Sequence, residues 1–101
     1  MLVSWNWLKD YVSLDMTPDE LSRRLMMAGL NHESTTAIGG DFAIDLEITS
    51  NRPDCLGHLG IAREISVLWN RDLCRPLANP AEGRAAVGEL TSVALESPAL
   101  C

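Results

Sequence analysis

Little in this sequence is basic. Eight Lys and Arg stand against fourteen Asp and Glu, for a formal net charge of −6. Affinity for nucleic acid comes mostly from Lys and Arg neutralising phosphates, so this balance excludes a dominant phosphate-binding role while allowing a local basic patch. Cysteine is scarce as well. Cys55, Cys74 and Cys101 form no C-x-x-C and cannot all pair with one another, which fits a reducing compartment better than a disulfide framework. No apolar run approaches the length of a membrane span. Asn6, Lys9 and Asp10 interrupt the apolar residues at the start, so the N-terminus does not read as a signal peptide. There is no Gly-rich phosphate loop and no nucleophile elbow. The expectation is a cytoplasmic, weakly acidic protein without a membrane partner.

What is present is apolar material in regular patterns. The 101 residues are 47% hydrophobic, enough for one small domain that buries roughly 60–65% of its unfolded surface without metal or disulfides. Ser4 can cap a short helix over about residues 5–12, with Trp5, Leu8, Tyr11 and Val12 at helical spacing. A second helix carries stronger signals. Thr17 is its cap, Pro18 its first residue and Glu20 the partner in a capping box, with Met16 and Leu21 as a hydrophobic staple. Leu21, Leu25 and Ala28 line one face, and Gly29 ends it. Phe42, Ile44, Leu46 and Ile48 then alternate with Ala43, Asp45 and Glu47, the pattern of a half-buried strand. With Gly39-Gly40-Asp41 as the turn, residues 30–48 predict a β-hairpin.

The segment Thr49-Ser50-Asn51-Arg52-Pro53-Asp54 connects that strand to a third helix running to about Trp69. Pro53 biases Arg52 toward extended backbone, and Asp54 is placed to cap the helix. Leu59, Ala62, Ile65 and Trp69 form its stripe, and Gly57 and Gly60 suggest close backbone approach near its start. Leu25, Leu46, Ile65 and Trp69 are expected to share one core. From Ala78 onward Ala, Gly, Pro and Glu dominate, and residues 78–101 read as a linker. The expected fold class is α+β but mainly helical, a small three-helix domain with a β-hairpin.

Candidate chemistry is thin. Cys55 and His58 lie three apart at a predicted helix start, where the helix dipole favours a thiolate, but an inert buried cysteine is the commoner fate of this residue type. A metal site needs about four ligands, and His32, Cys74 and Cys101 show no ligand spacing. Asp41, Asp45 and Glu47 are most simply the polar side of a strand. Arg23-Arg24, Arg71 and Arg75 read as solvated helix ends, without the aromatic interleaving of a single-strand binder. Trp5 and Trp7 face different sides of a short helix, so one of them is free to contact a partner. Asn51, Arg52 and Asp54 are expected to hold the strand-to-helix loop, or to form an interface. No residue is assigned to catalysis, to a cofactor or to a metal.

Three stretches carry a resemblance. Ser4-Trp5-Asn6-Trp7-Leu8-Lys9-Asp10-Tyr11-Val12 and Leu25-Met26-Met27-Ala28-Gly29-Leu30 resemble the start of the bacterial phenylalanyl-tRNA synthetase beta subunit. Leu46 to Leu56, containing Asn51-Arg52-Pro53-Asp54-Cys55, followed by Leu59-Gly60-Ile61-Ala62-Arg63-Glu64-Ile65, is similar to that family's most recognisable block. The likeness covers about residues 1–77, and Leu95 to Cys101 is similar to the opening of the family's next module. The resemblance implies an N-terminal, noncatalytic structural or docking module with a winged-helix-like outline. It implies a synthetase of two alpha and two beta subunits that attaches phenylalanine to its tRNA with ATP and Mg²⁺, none of which this piece would bind as a cofactor. Many members insert an OB-type tRNA-binding domain before the Asn-Arg-Pro-Asp-Cys strand. Here only Asn31 to Ala43 are available, too few for such a barrel, so tRNA binding by this piece alone is expected to be weak or absent. The rival expectation is a free-standing winged-helix-like module binding nucleic acid or protein.

Overall fold

A computed structural model describes residues 1–100. Its chain opens on strand β1 (Leu2–Ser4), passes into the single-turn helix α1 (Trp5–Leu8) and then into α2 (Pro18–Met27). Strands β2 (Asn31–Ile38) and β3 (Asp41–Glu47) follow. A 3₁₀ turn (Pro53–Cys55) and helix α3 (His58–Trp69) complete the packed part. The strands form one antiparallel sheet in the order β1-β3-β2, with Val3 opposite Ile44 on one side of β3 and Thr35 opposite Ile44 on the other.

The local signals of α2 are realised. Thr17 Oγ1 accepts the Glu20 N–H at 3.2 Å, Pro18 opens the helix, and Gly29 leaves it at φ 92°. The hairpin turns on Gly39 and Gly40 at φ 57° and 87°, the positive values that a two-residue turn of right-handed twist requires. One bulge interrupts β2 between His32 and Ser34.

Alternation along β1 and β3 points Val3, Ile44 and Leu46 to one face, where α2 contributes Leu21 and Leu25 and α3 contributes Ile61, Ala62 and Ile65. Leu8, Val12, Leu30 and Cys55 close the cluster. Each fully buried aliphatic is worth about 1.5–3 kcal/mol of transfer free energy. Leu25, Leu46 and Ile65 share this core as expected, while Trp69 packs against its edge only partly buried. Arg24 stacks its guanidinium 4.4 Å from the Trp69 ring and donates to the Leu68 carbonyl.

The mainly helical, three-helix, winged-helix-like expectation is overturned. The domain is α+β with a three-stranded sheet, 36% of it helical, and only α2 and α3 exceed a single turn. Two causes are visible. Residues 2–4 add a strand that the apolar start of the chain did not distinguish from a helix lead-in. The first helix stops at Leu8 rather than Val12, because Val12 bridges to Leu73 and the Tyr11 carbonyl accepts the Cys74 N–H at 2.7 Å. From Cys74 to Leu100 every residue is exposed, including the single turn α4 (Val87–Leu90). No described helix is long and apolar enough to cross a membrane.

Candidate functional site

Arg52, in the connection from β3 to α3, makes two of the four ion pairs among the described residues. Pro53 sets the 3₁₀ turn, and Gly57 at φ 148° breaks the backbone between that turn and α3. Asp54 therefore does not cap α3, as the sequence suggested. The capping position is Gly57, which offers no side-chain acceptor. Gly60 explains why the two segments fit so closely: a Cβ there would lie 2.1 Å from the Asp54 carbonyl oxygen.

Arg52 is the centre of this loop. Its Nε and Nη2 donate to the two Asp54 carboxylate oxygens at 3.1 and 3.0 Å, and Nη2 lies 2.6 Å from Glu64 Oε1 and 3.0 Å from Cys55 Sγ. The guanidinium holds the Asp54 carboxyl down at about 2, and Asp54 and Glu64 raise the arginine further. Arg63 donates to the Asp54 carbonyl at 3.0 Å, and Thr49 Oγ1 donates to Asn51 Oδ1 at 2.6 Å. Asp54, Cys55 and Glu64 bring three potential ligand atoms within 4.8 Å of one another. They do not suit a metal centre, because the Arg52 cation already contacts all three and a fourth donor is lacking among the described residues.

Cys55 and His58 are not a catalytic pair. Cys55 is fully buried, and burial together with its hydrogen bond to Asp54 pushes the thiol up to about 11. His58 engages other partners: its Nε2 accepts the Ser4 N–H at 2.9 Å and its ring stacks on Trp7 at 4.2 Å. Trp5 sits in the core at 6% exposure, whereas Trp7 is 53% exposed.

Sequence reasoning passed over the group around Ser4. Its Oγ accepts the Trp7 N–H at 3.0 Å and donates to Asp41 Oδ2 at 2.6 Å. Asp41 Oδ1 accepts the Asn6 and Phe42 N–H groups, both at 2.8 Å. These bonds, the Ser4 hydroxyl first, hold the Asp41 carboxyl below its ordinary range. The available signals were a capping serine and an aspartate at a hairpin turn, which do not by themselves point to each other.

Fold and site together define a small α+β module whose connection from β3 to α3 is braced by ion pairs. No protein-family model matches the chain, and no solved structure does either. The relatives are nevertheless consistent. The chain is 48% identical over 101 residues, its whole length, to a phenylalanine–tRNA ligase beta subunit of Rhodopirellula baltica. It is 39% identical over 61 residues, 60% of the chain, to the beta subunit of Fusobacterium nucleatum subsp. nucleatum. Against the chloroplastic beta subunit of Porphyra purpurea it is 31% identical over 88 residues, covering 82% of the chain. By sequence it belongs to the phenylalanine–tRNA ligase beta subunits, of which it spans a small part: 15%, 8% and 12% of these three relatives.

Proposed function

We propose that the chain serves as a noncatalytic structural and docking module of a phenylalanine–tRNA ligase beta subunit. The observation that carries this reading is the match to the Rhodopirellula baltica subunit, which spans every residue of the chain but only 15% of that relative. A segment of that size, with Arg52, Asp54 and Glu64 committed to bracing a loop, supports a scaffolding role. On this reading the alpha subunit and the rest of the beta subunit are its partners, in an enzyme of two alpha and two beta subunits. ATP, Mg²⁺, phenylalanine and its tRNA are handled elsewhere in that enzyme. Residues 1–77 are the compact module and residues 78–101 lead toward the next one. Exposed Trp7 and the Asn51-Arg52-Asp54 loop are the surfaces offered to those partners, with Trp5 holding α1 against the core from inside.

The rival reading, a free-standing nucleic-acid binder, has net charge −6 against it and no basic recognition helix to support it. A titration separates the two. The 101-residue chain is mixed with tRNA for phenylalanine and with an unrelated tRNA at about 0.15 M salt, where the Debye length is about 8 Å. The expected result is no selective binding of either. A submicromolar signal that prefers the phenylalanine tRNA would return tRNA recognition to this module. Failure of the chain to associate with a ligase preparation lacking this segment would remove the docking reading.

A further inference from the structure

His58 occupies a position where its protonation state and the fold are coupled. It lies at the first turn of α3, beside an outward groove of about 290 Å³ that is lined by Leu2, Ile38, Ala43 and Trp7. Its Nε2 accepts the Ser4 N–H at 2.9 Å, at the junction of β1 and α1. A ring nitrogen can accept only with its lone pair free, so the imidazole is neutral and carries its proton on Nδ1. Adding the second proton would set N–H against N–H. Ser4 is also the residue that caps α1 through Trp7 and that ties Asp41 to the junction.

We propose that His58 is an acid-sensitive latch, which when neutral fastens the β1–α1 junction to the start of α3 and when protonated releases Ser4 and the Trp7 stack. The charged group facing it across the groove is Asp41 on β3, whose carboxylate is already engaged by Ser4, Asn6 and Phe42. Lys9 bears on Asp41 from the α1 side, while β1 and α1 present only the uncharged Ser4 and Trp7. On its own helix, Arg63 and Glu64 are turned toward Asp54 and Arg52. Burial of the ring lowers its pKa, with Asp41 acting in the opposite direction. The stabilisation is therefore complete above the ordinary histidine value of about 6.5 and is lost as pH falls toward the lower native value. Across that interval the unfolding constant rises by up to about tenfold per pH unit, the dependence of one proton bound on unfolding.

The test uses the 101-residue chain, following the His58 ring carbons, the Ser4 amide and the Trp7 indole by NMR from pH 8 to pH 4, with denaturant unfolding at each pH. The expected result is a single midpoint below 6.5 shared by all three signals, with the stability loss in the same interval. His58→Gln, whose side-chain carbonyl can accept the Ser4 N–H without titrating, should flatten that interval. A His58 midpoint at or above 6.5, or a Ser4 amide that ignores it, would overturn the proposal, as would an unchanged pH dependence in His58→Gln. If that variant does not fold, the ring and amide titrations of the unaltered chain decide the matter.

Discussion

Residues 1–73 and residues 74–100 are both supplied with aliphatic side chains, and only the first stretch buries them. Leu21, Leu25, Ile44, Leu46, Ile61 and Ile65 are fully or almost fully buried. Leu77, Val87, Leu90, Val93 and Leu95 are all exposed. The difference lies in arrangement. In the first stretch apolar residues recur at helical spacing in α2 and α3 and at alternate positions in β3, so each element has one apolar side that another can cover. In the second, Ala, Gly and Pro interrupt every run, and α4 is a single turn that presents no continuous apolar stripe. Hydrophobic content alone therefore does not mark the packed region, whereas periodicity does.

The sharpest way to break this contrast is truncation on each side of it. Leu25→Ala, Leu46→Ala or Ile65→Ala should each cost about 2–5 kcal/mol in denaturant unfolding, because each leaves a closed cavity. Leu90→Ala and Val93→Ala should stay within about 0.5 kcal/mol, as surface changes do. A tail substitution that costs as much as a core one would show that the tail packs after all.

A smaller effect tests the same contrast in the backbone. Gly60→Ala forces a methyl group into the Asp54 carbonyl, and overpacking of this kind costs about 1–3 kcal/mol. Gly88→Ala, in a tail position where a Cβ meets nothing within 4 Å, should be neutral or slightly stabilising by unfolding measurements. Equal effects at both positions would mean that the 3₁₀ turn yields to α3 at no cost.

The mildest probe leaves the sequence intact. Alkylation near neutral pH, read by peptide mapping, should modify exposed Cys74 readily and leave Cys55 unreacted until the chain is unfolded. Burial and a thiol pushed up to about 11 both act against thiolate at Cys55. Rapid native-state labelling of Cys55 would contradict its placement in the core.

The legible parts of the fold were those whose causes are local. Thr17-Pro18 and the stripe through Leu21 and Leu25 define α2 within a dozen residues, and Gly39-Gly40 ahead of the alternating run from Phe42 to Ile48 defines the hairpin. The misread parts depended on partners far along the chain. β1 is three residues long and is a strand only because β3 lies alongside it. The first helix ends early because Leu73 and Cys74 return to Val12 and Tyr11. At the loop, the Arg52–Asp54 pair spans two residues, but Glu64 joins it only once α3 has folded back. The three-residue spacing of Cys55 and His58 misled for a related reason. It would align two side chains on a continuous helix, and Gly57 interrupts that helix between them.

The glycine turn of the hairpin has a consequence for how such a module can acquire new parts. Ile38 and Asp41 are facing residues of one ladder rung, about 5 Å apart as antiparallel pairs are. A domain spliced between Gly39 and Gly40 would leave and re-enter the sheet at adjacent points, at an exposed tip of the kind that accepts insertions without disturbing a core. The 101-residue match to the Rhodopirellula baltica subunit covers all 101 residues of this chain, so that relative carries no such addition in this stretch. The splice has one fixed post. Asp41 on the returning strand is tied to Ser4, Asn6 and Phe42, so an inserted domain can vary freely only if it delivers the chain back to that carboxylate in register.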